Sequence, residues 1–195
     1  MKSVCKGCSL ALILAAFVWT ATAQDPTAIS SQKVPGVDDG VITDFENRVR
    51  VYTQRRETLE TELPALSKQA TAEEIAAHKS ALLKKVLAAR KGATRGEIFT
   101  VESEKAIRLI ISAHFKGRDA AELRKEVAEA ENKTVPVRVN AVYPEAAELL
   151  EMPPKLLLAL PELPKQVRYR FVGNNLLIVD RESHLIVDYM TNALP

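Results

Sequence analysis

Apolar positions in this chain recur at helical spacing in its earlier part and at strand spacing near its end. From Val41 onward, Phe45, Val49, Tyr52, Leu59 and Leu63 fall at alternating steps of three and four, which predicts an amphipathic helix. Arg56 interrupts that stripe and Pro64 ends it. Thr71-Ala72-Glu73-Glu74 has the spacing of a capping box, with Thr71 accepting a backbone N–H and Glu74 reaching back. The helix it opens carries Ile75, Leu82, Leu83, Val86 and Leu87, and Gly92 can terminate it. These two helices are expected to form an antiparallel hairpin. Thr100 should cap a third helix with Ile107, Ile110, Ile111 and Phe115 on one face, closed by Gly117. Asp119-Ala120-Ala121-Glu122 opens a shorter fourth helix carrying Leu123 and Val127.

The period then changes. Thr134 to Val139 alternates, but Pro136 cannot donate to a ladder, so an edge strand or extended segment is expected. Pro144 to Pro164 is rich in Pro and Leu. Pro153-Pro154 can begin a short helix with Leu156, Leu157, Leu158 and Leu160, ended by Pro161. Being apolar on most sides, that helix should be buried against the strands that follow. Val167, Tyr169 and Phe171 alternate with Arg168 and Arg170, and Gly173-Asn174-Asn175 tolerates the positive φ of a tight turn. Leu176 to Val179 is continuously apolar, as in a central strand covered on both faces. Asp180 to His184 reads as a second turn, with Asp180 bonding its own backbone two residues on. Leu185, Val187 and Tyr189 resume the alternation, with Ile186 and Asp188 on the other face. The fold class expected is α+β: N-terminal helices, a hairpin plus two shorter ones, with a C-terminal three-stranded antiparallel β-meander. The meander and the Pro/Leu run are expected to be the stability core, with the first helix separable from it.

The domain organisation expected is a signal peptide over 1–23, a flexible arm over 24–36, a helical region over 37–133, and the Pro/Leu segment with the meander over 134–195. Lys2 and Lys6 precede an apolar run from Leu10 to Trp19, too short to span a bilayer, and Ala21-Thr22-Ala23 has the form of a cleavage site. Export to the periplasm or exterior follows, with cleavage near Ala23. Cys5-x-x-Cys8 lies in the removed segment, so its spacing carries no redox or zinc meaning in the mature chain. Losing Lys2 and Lys6 leaves 25 basic residues from the original 27, against 25 acidic ones. A neutral mature chain is not built for nucleic acid. The sequence names no partner, another envelope protein being one candidate, and no transmembrane segment is expected in the mature chain.

The pattern Y-R-F-V-G-x-x-L-L-I-V-D from Tyr169, followed by L-I-V-D-Y from Leu185, resembles the C-terminal hairpin of small uncharacterised secreted bacterial proteins. Gly96-Glu97-Ile98-Phe99-Thr100 and the Pro/Leu run look like the same group. The hairpin is also loosely similar to that of the periplasmic nickel/cobalt-homeostasis family, and that resemblance implies a search for metal ligands.

Spacing alone anchors no such set. His78 sits on a charged helix and is expected at its surface, and His114 adjoins the stripe of the third helix. Asp180, Glu182 and His184 share one turn, where an Asx turn with a solvated histidine is the expected state. Lys84, Lys85, Arg90, Lys91 and Arg95 form a basic cluster that suits a solvated helix end, without the interleaved aromatics of a nucleic-acid surface. Arg168 and Arg170 share one strand face, either as an anion site or as protection for the sheet. Asn132-Lys133-Thr134 fits a glycosylation acceptor. The acid pairs Glu73/Glu74 and Asp38/Asp39 occur where helices begin. No phosphate loop, nucleophile elbow or dinucleotide fingerprint occurs in the sequence. No catalytic residue, cofactor or metal is expected. The role expected is a non-enzymatic binding or envelope-structural module, the alternative being periplasmic metal homeostasis or stress response.

Overall fold

Three of the helices begin where a short polar side chain, Asp38, Thr71 or Thr100, accepts a free N–H of the first turn. The computed structural model describes residues 34–129, 135–144 and 154–194. Residues 1–23, most of the expected arm, the Asn132-Lys133-Thr134 acceptor and much of the Pro/Leu run lie outside them. α1 spans Asp39–Thr61, and Asp38 Oδ1 accepts the Gly40 N–H at 2.7 Å. α2 spans Ala72–Ala89 behind the expected capping box: Thr71 Oγ1 accepts from Glu74 N at 3.2 Å, and Glu74 Oε2 from Thr71 N at 2.7 Å. α3 spans Val101–His114, capped by Thr100, which accepts from Ser103 N at 3.2 Å. α4 spans Arg118–Glu129 and α5 spans Pro154–Ala159.

The meander is β1, Val167–Val172, β2, Asn175–Asp180, and β3, Ile186–Met190, in the order β1-β2-β3 with both pairings antiparallel. Gly173 takes φ +53° in the two-residue turn between β1 and β2. An L side chain is strained there, and this is where the hairpin needs its glycine. β2 is buried on both faces, as its unbroken apolar run requires. One face meets the helices in a core that joins Phe45, Val49 and Tyr52 of α1, Leu82 and Val86 of α2, Ile107 and Ile111 of α3, and Tyr169, Leu176 and Ile178 of the sheet. The other face is closed by Val135, Ala141 and Tyr143 against Leu177, Val179 and Ile186.

Several expectations change at this level. The segment after Thr134 forms no strand among the described residues; it turns at 138–140 and then runs beside the start of β3, through the bridge Val142 to Leu185 and backbone hydrogen bonds that join Asn140 and Ala141 to Ile186 and Tyr143 to His184. α5 is not buried all round. Leu156 and Leu160 enter the core, while Leu157 and Leu158 stay 53% and 66% exposed. Phe171 is only half-buried, whereas Tyr169 is enclosed and donates its hydroxyl to the Pro161 carbonyl at 3.0 Å. α1 does not stand apart from the sheet: its apolar stripe is part of the same core.

The largest change is in β3. Val179 faces Ile186 and Ile178 faces Asp188, so Val187 is an inserted residue with no partner opposite. Such a bulge reverses the alternation beyond it. Asp188 therefore shares the side of Ile178, toward the helices, and not the side of Ile186 as strict alternation predicts.

Candidate functional site

Two buried carboxylates organise the junction between helices and sheet. Asp188, turned inward by the bulge, accepts backbone N–H groups from Ile98 at 2.8 Å, Phe99 at 2.9 Å and Gly96 at 3.1 Å, and from its own neighbour Tyr189 at 2.8 Å. Burial pushes this carboxyl above its ordinary value against the pull of those four N–H groups. Its acceptor positions are filled by the fold, so it anchors a loop and is not a reactive acid. The Gly96–Thr100 phrase is the loop it anchors, and Gly96 at φ +93° permits the approach.

The second carboxylate is Asp180. Its Oδ1 accepts from Glu182 N at 3.0 Å and Ser183 N at 2.8 Å, which is the expected Asx turn. Its Oδ2 reaches α1, accepting from the Tyr52 hydroxyl at 2.9 Å and from Arg56 Nε at 3.3 Å. Arg56 is thus no surface interruption of the α1 stripe: it is 5% exposed. Its remaining N–H groups pair with Glu60 and Glu182. Burial opposes the Arg56 charge, yet Asp180, Glu60 and Glu182 outweigh it and hold the guanidinium above its ordinary value. Burial first, and the Asp180 charge second, push Tyr52 well above the usual tyrosine range.

Around this pair the turn gains a histidine neighbour that spacing could not reveal. His78 is not at the surface; its side chain is 9% exposed and its Nε2 lies 3.6 Å from Glu182 Oε1. One ligand atom each from Glu60, His78 and Glu182 falls within 4.8 Å of the others. His184 is not solvated as expected. It is buried, at φ +56°, and its carbonyl accepts the Tyr143 N–H at 2.7 Å. His114 stands apart on α3, its Nδ1–H donating to the Ile110 carbonyl at 2.8 Å.

The basic cluster divides. Lys84 and Lys91 are exposed, and Lys85 pairs with Glu62 at 2.6 Å. Arg90 and Arg95 instead cross to the edge strand. Arg90 donates to the Val187 carbonyl at 2.7 Å and Arg95 to the Tyr189 carbonyl at 3.2 Å. Arg108 continues the row with the Thr191 and Asn192 carbonyls at 2.8 and 3.0 Å. Three arginines thus occupy carbonyls along β3 and just beyond it, positions that would otherwise be open to a foreign strand. Arg168 and Arg170 on β1 are half-buried.

Beside the Arg56 network, an open cleft of about 380 Å³ runs along α1 and α2 toward the Gly96–Thr100 loop. Val51, Leu59, Val86 and Ile98 supply apolar lining, and Arg48, Arg55, Arg56 and Arg90 outnumber the two acids, Asp44 and Glu97. Arg48 is held by Asp44 at 2.6 Å, and Arg90 stacks over the Tyr52 ring at 5.3 Å. Arg55 makes no ion pair among the described residues, and neighbouring Val51 is 65% exposed. Among those residues no helix is long and apolar enough to cross a membrane. No family model, curated protein or solved structure matches the chain.

Proposed function

We propose that the chain is an exported, non-enzymatic binding module whose α1–α2 cleft takes a small anion with an apolar body, such as an aliphatic carboxylate. The observation that carries this reading is Arg55, a cation with no ion pair among the described residues, beside the exposed side chain of Val51 in a cleft of small-molecule size. A carboxylate head would meet the arginine fork, and a hydrocarbon tail would cover Val51 and Leu59. The non-enzymatic part rests on Asp180 and Asp188, which are committed to backbone and side-chain donors and not to a reacting group. Export rests on the leader pattern of residues 1–23, and the family resemblance of the hairpin agrees with it.

Titration calorimetry with dodecanoate tests the reading, with dodecyltrimethylammonium as the opposite-charge control. Dodecanoate should bind, Arg55→Glu should weaken it at least tenfold, and the cationic amphiphile should give no saturable heat. Equal binding of both amphiphiles, or dodecanoate binding that ignores Arg55→Glu, would overturn it. A second reading, metal homeostasis, is favoured by the meeting of Glu60, His78 and Glu182.

A further inference from the structure

Three elements bring a histidine and two carboxylates to one half-buried point. Glu60 comes from the last turn of α1, His78 from α2 and Glu182 from the β2–β3 turn. Both glutamates are held by other groups of the protein. Glu182 sits in a turn that Asp180 fixes through two N–H groups, and Arg56 holds both glutamates through their Oε2 atoms. That arrangement leaves Glu182 Oε1 turned toward His78 Nε2 at 3.6 Å. In a tetrahedral site with bonds of about 2.0 Å, neighbouring ligand atoms are about 3.3 Å apart. The pair is already near that separation, and the third ligand atom lies within 4.8 Å, a distance that side-chain rotation can close.

Charge points the same way. Arg56 contributes one positive charge to a network holding three carboxylates, Asp180, Glu60 and Glu182. With His78 neutral, as a metal ligand must be, two negative charges remain uncompensated in a setting where the side chains of Asp180, His78, Glu182 and Glu60 are 0%, 9%, 26% and 35% exposed. A charge excess in such a half-buried setting is favourably met by a counter-charge. A divalent cation supplies it in full.

We propose that Glu60, His78 and Glu182 form a binding site for a borderline divalent transition ion, with Zn²⁺ or Ni²⁺ as the ions of choice. One imidazole nitrogen with two carboxylate oxygens selects such ions over Ca²⁺ and Mg²⁺, which prefer all-oxygen shells. Arg56 is a positioning residue that orients both carboxylates from outside the coordination sphere. Bound metal would tie α1, α2 and the β2–β3 turn together. The inference does not depend on the anion-binding reading of the cleft.

The test is Zn²⁺ and Ni²⁺ titration calorimetry on the full chain carrying Cys5→Ser and Cys8→Ser, which removes thiolate binding. Thermal unfolding is followed with and without metal. One equivalent of Zn²⁺ or Ni²⁺ should bind and raise the unfolding midpoint. His78→Ala and Glu182→Gln should each weaken binding at least tenfold and abolish the rise, while His114→Asn should change neither. Excess Mg²⁺ should not compete. His78→Ala must keep the parent's metal-free midpoint within a few degrees; if it does not, Glu182→Gln carries the test. No stoichiometric heat with either ion would overturn the proposal. So would binding that survives both His78→Ala and Glu182→Gln, or that His114→Asn removes equally.

Discussion

Asp188 accepts the backbone N–H of Ile98 at 2.8 Å across 90 residues of sequence. The same oxygen takes Phe99, so one carboxylate on the edge strand fixes the loop that leads into α3. Phe99 in turn lies 5.5 Å from the Phe45 ring of α1, so the anchor extends to the first helix. Replacing Asp188 by alanine leaves two fully buried donors without an acceptor, at about 1–3 kcal/mol each. A loss of roughly 2–6 kcal/mol in urea unfolding is expected, with local hydrogen exchange rising first at residues 96–99. A loss below about 1 kcal/mol would show that water replaces the carboxylate without cost.

Arg56 and Asp180 should behave as one unit. Arg56→Met removes the partner of a carboxylate that is 0% exposed and should cost about 3–5 kcal/mol. Asp180→Asn in that background removes the stranded charge while keeping an oxygen for the turn. The double variant should therefore be more stable than the sum of the two single losses implies, by about 0.5–3 kcal/mol. Strict additivity in a double-mutant cycle would mean the two side chains do not interact.

Two tyrosines should titrate only as the fold opens. Tyr52 and Tyr169 are both pushed well above the ordinary value of 10.0, chiefly by burial. A raised folded value contributes stability in full below about pH 10, lost as pH rises through the folded value. Absorbance of tyrosinate near ~295 nm should thus show these two ionising together with loss of near-ultraviolet dichroism. Their ionisation at pH 10 with the fold intact would contradict the burial described.

Within β1 the two aromatics should differ. Tyr169→Ala empties an enclosed site and is expected to cost about 3–5 kcal/mol, and Phe171→Ala clearly less, because Phe171 is half-buried. Deleting residues 24–63 should abolish cooperative unfolding, since Phe45, Val49 and Tyr52 are core residues. A deletion variant that unfolds cooperatively in urea would restore the view of α1 as an appendage.

Much of the fold was legible because its signals are local. Thr71 and Glu74 cap each other over three residues, and Gly173 marks the one position in the first hairpin turn that needs positive φ. The meander follows from period-two alternation and two turn signals. The site was not legible, because it depends on events that leave no local trace. One inserted residue, Val187, turns Asp188 from the Ile186 side to the helical side. Arg56 looks like a polar break in an apolar stripe until the turn after β2 arrives with Asp180 and Glu182. His78 and Glu182 meet only because α1 and α2 run antiparallel, with Tyr52 near Arg90 and Glu60 near His78. The basic cluster misled for the same reason: the carbonyls of Val187 and Tyr189 that claim Arg90 and Arg95 lie on a distant strand.

The Asp188 anchor also sets a timetable. A ribosome delivers the chain from its N-terminus, so α1, α2 and α3 emerge long before the strand that fastens them. Phe45, Phe99 and Ile107 cannot be sealed until residue 188 is free to reach the loop at 96–99. Throughout that interval the growing chain exposes apolar surface and stays open. A chaperone therefore has the interval between the synthesis of residue 107 and that of residue 188 in which to engage that surface.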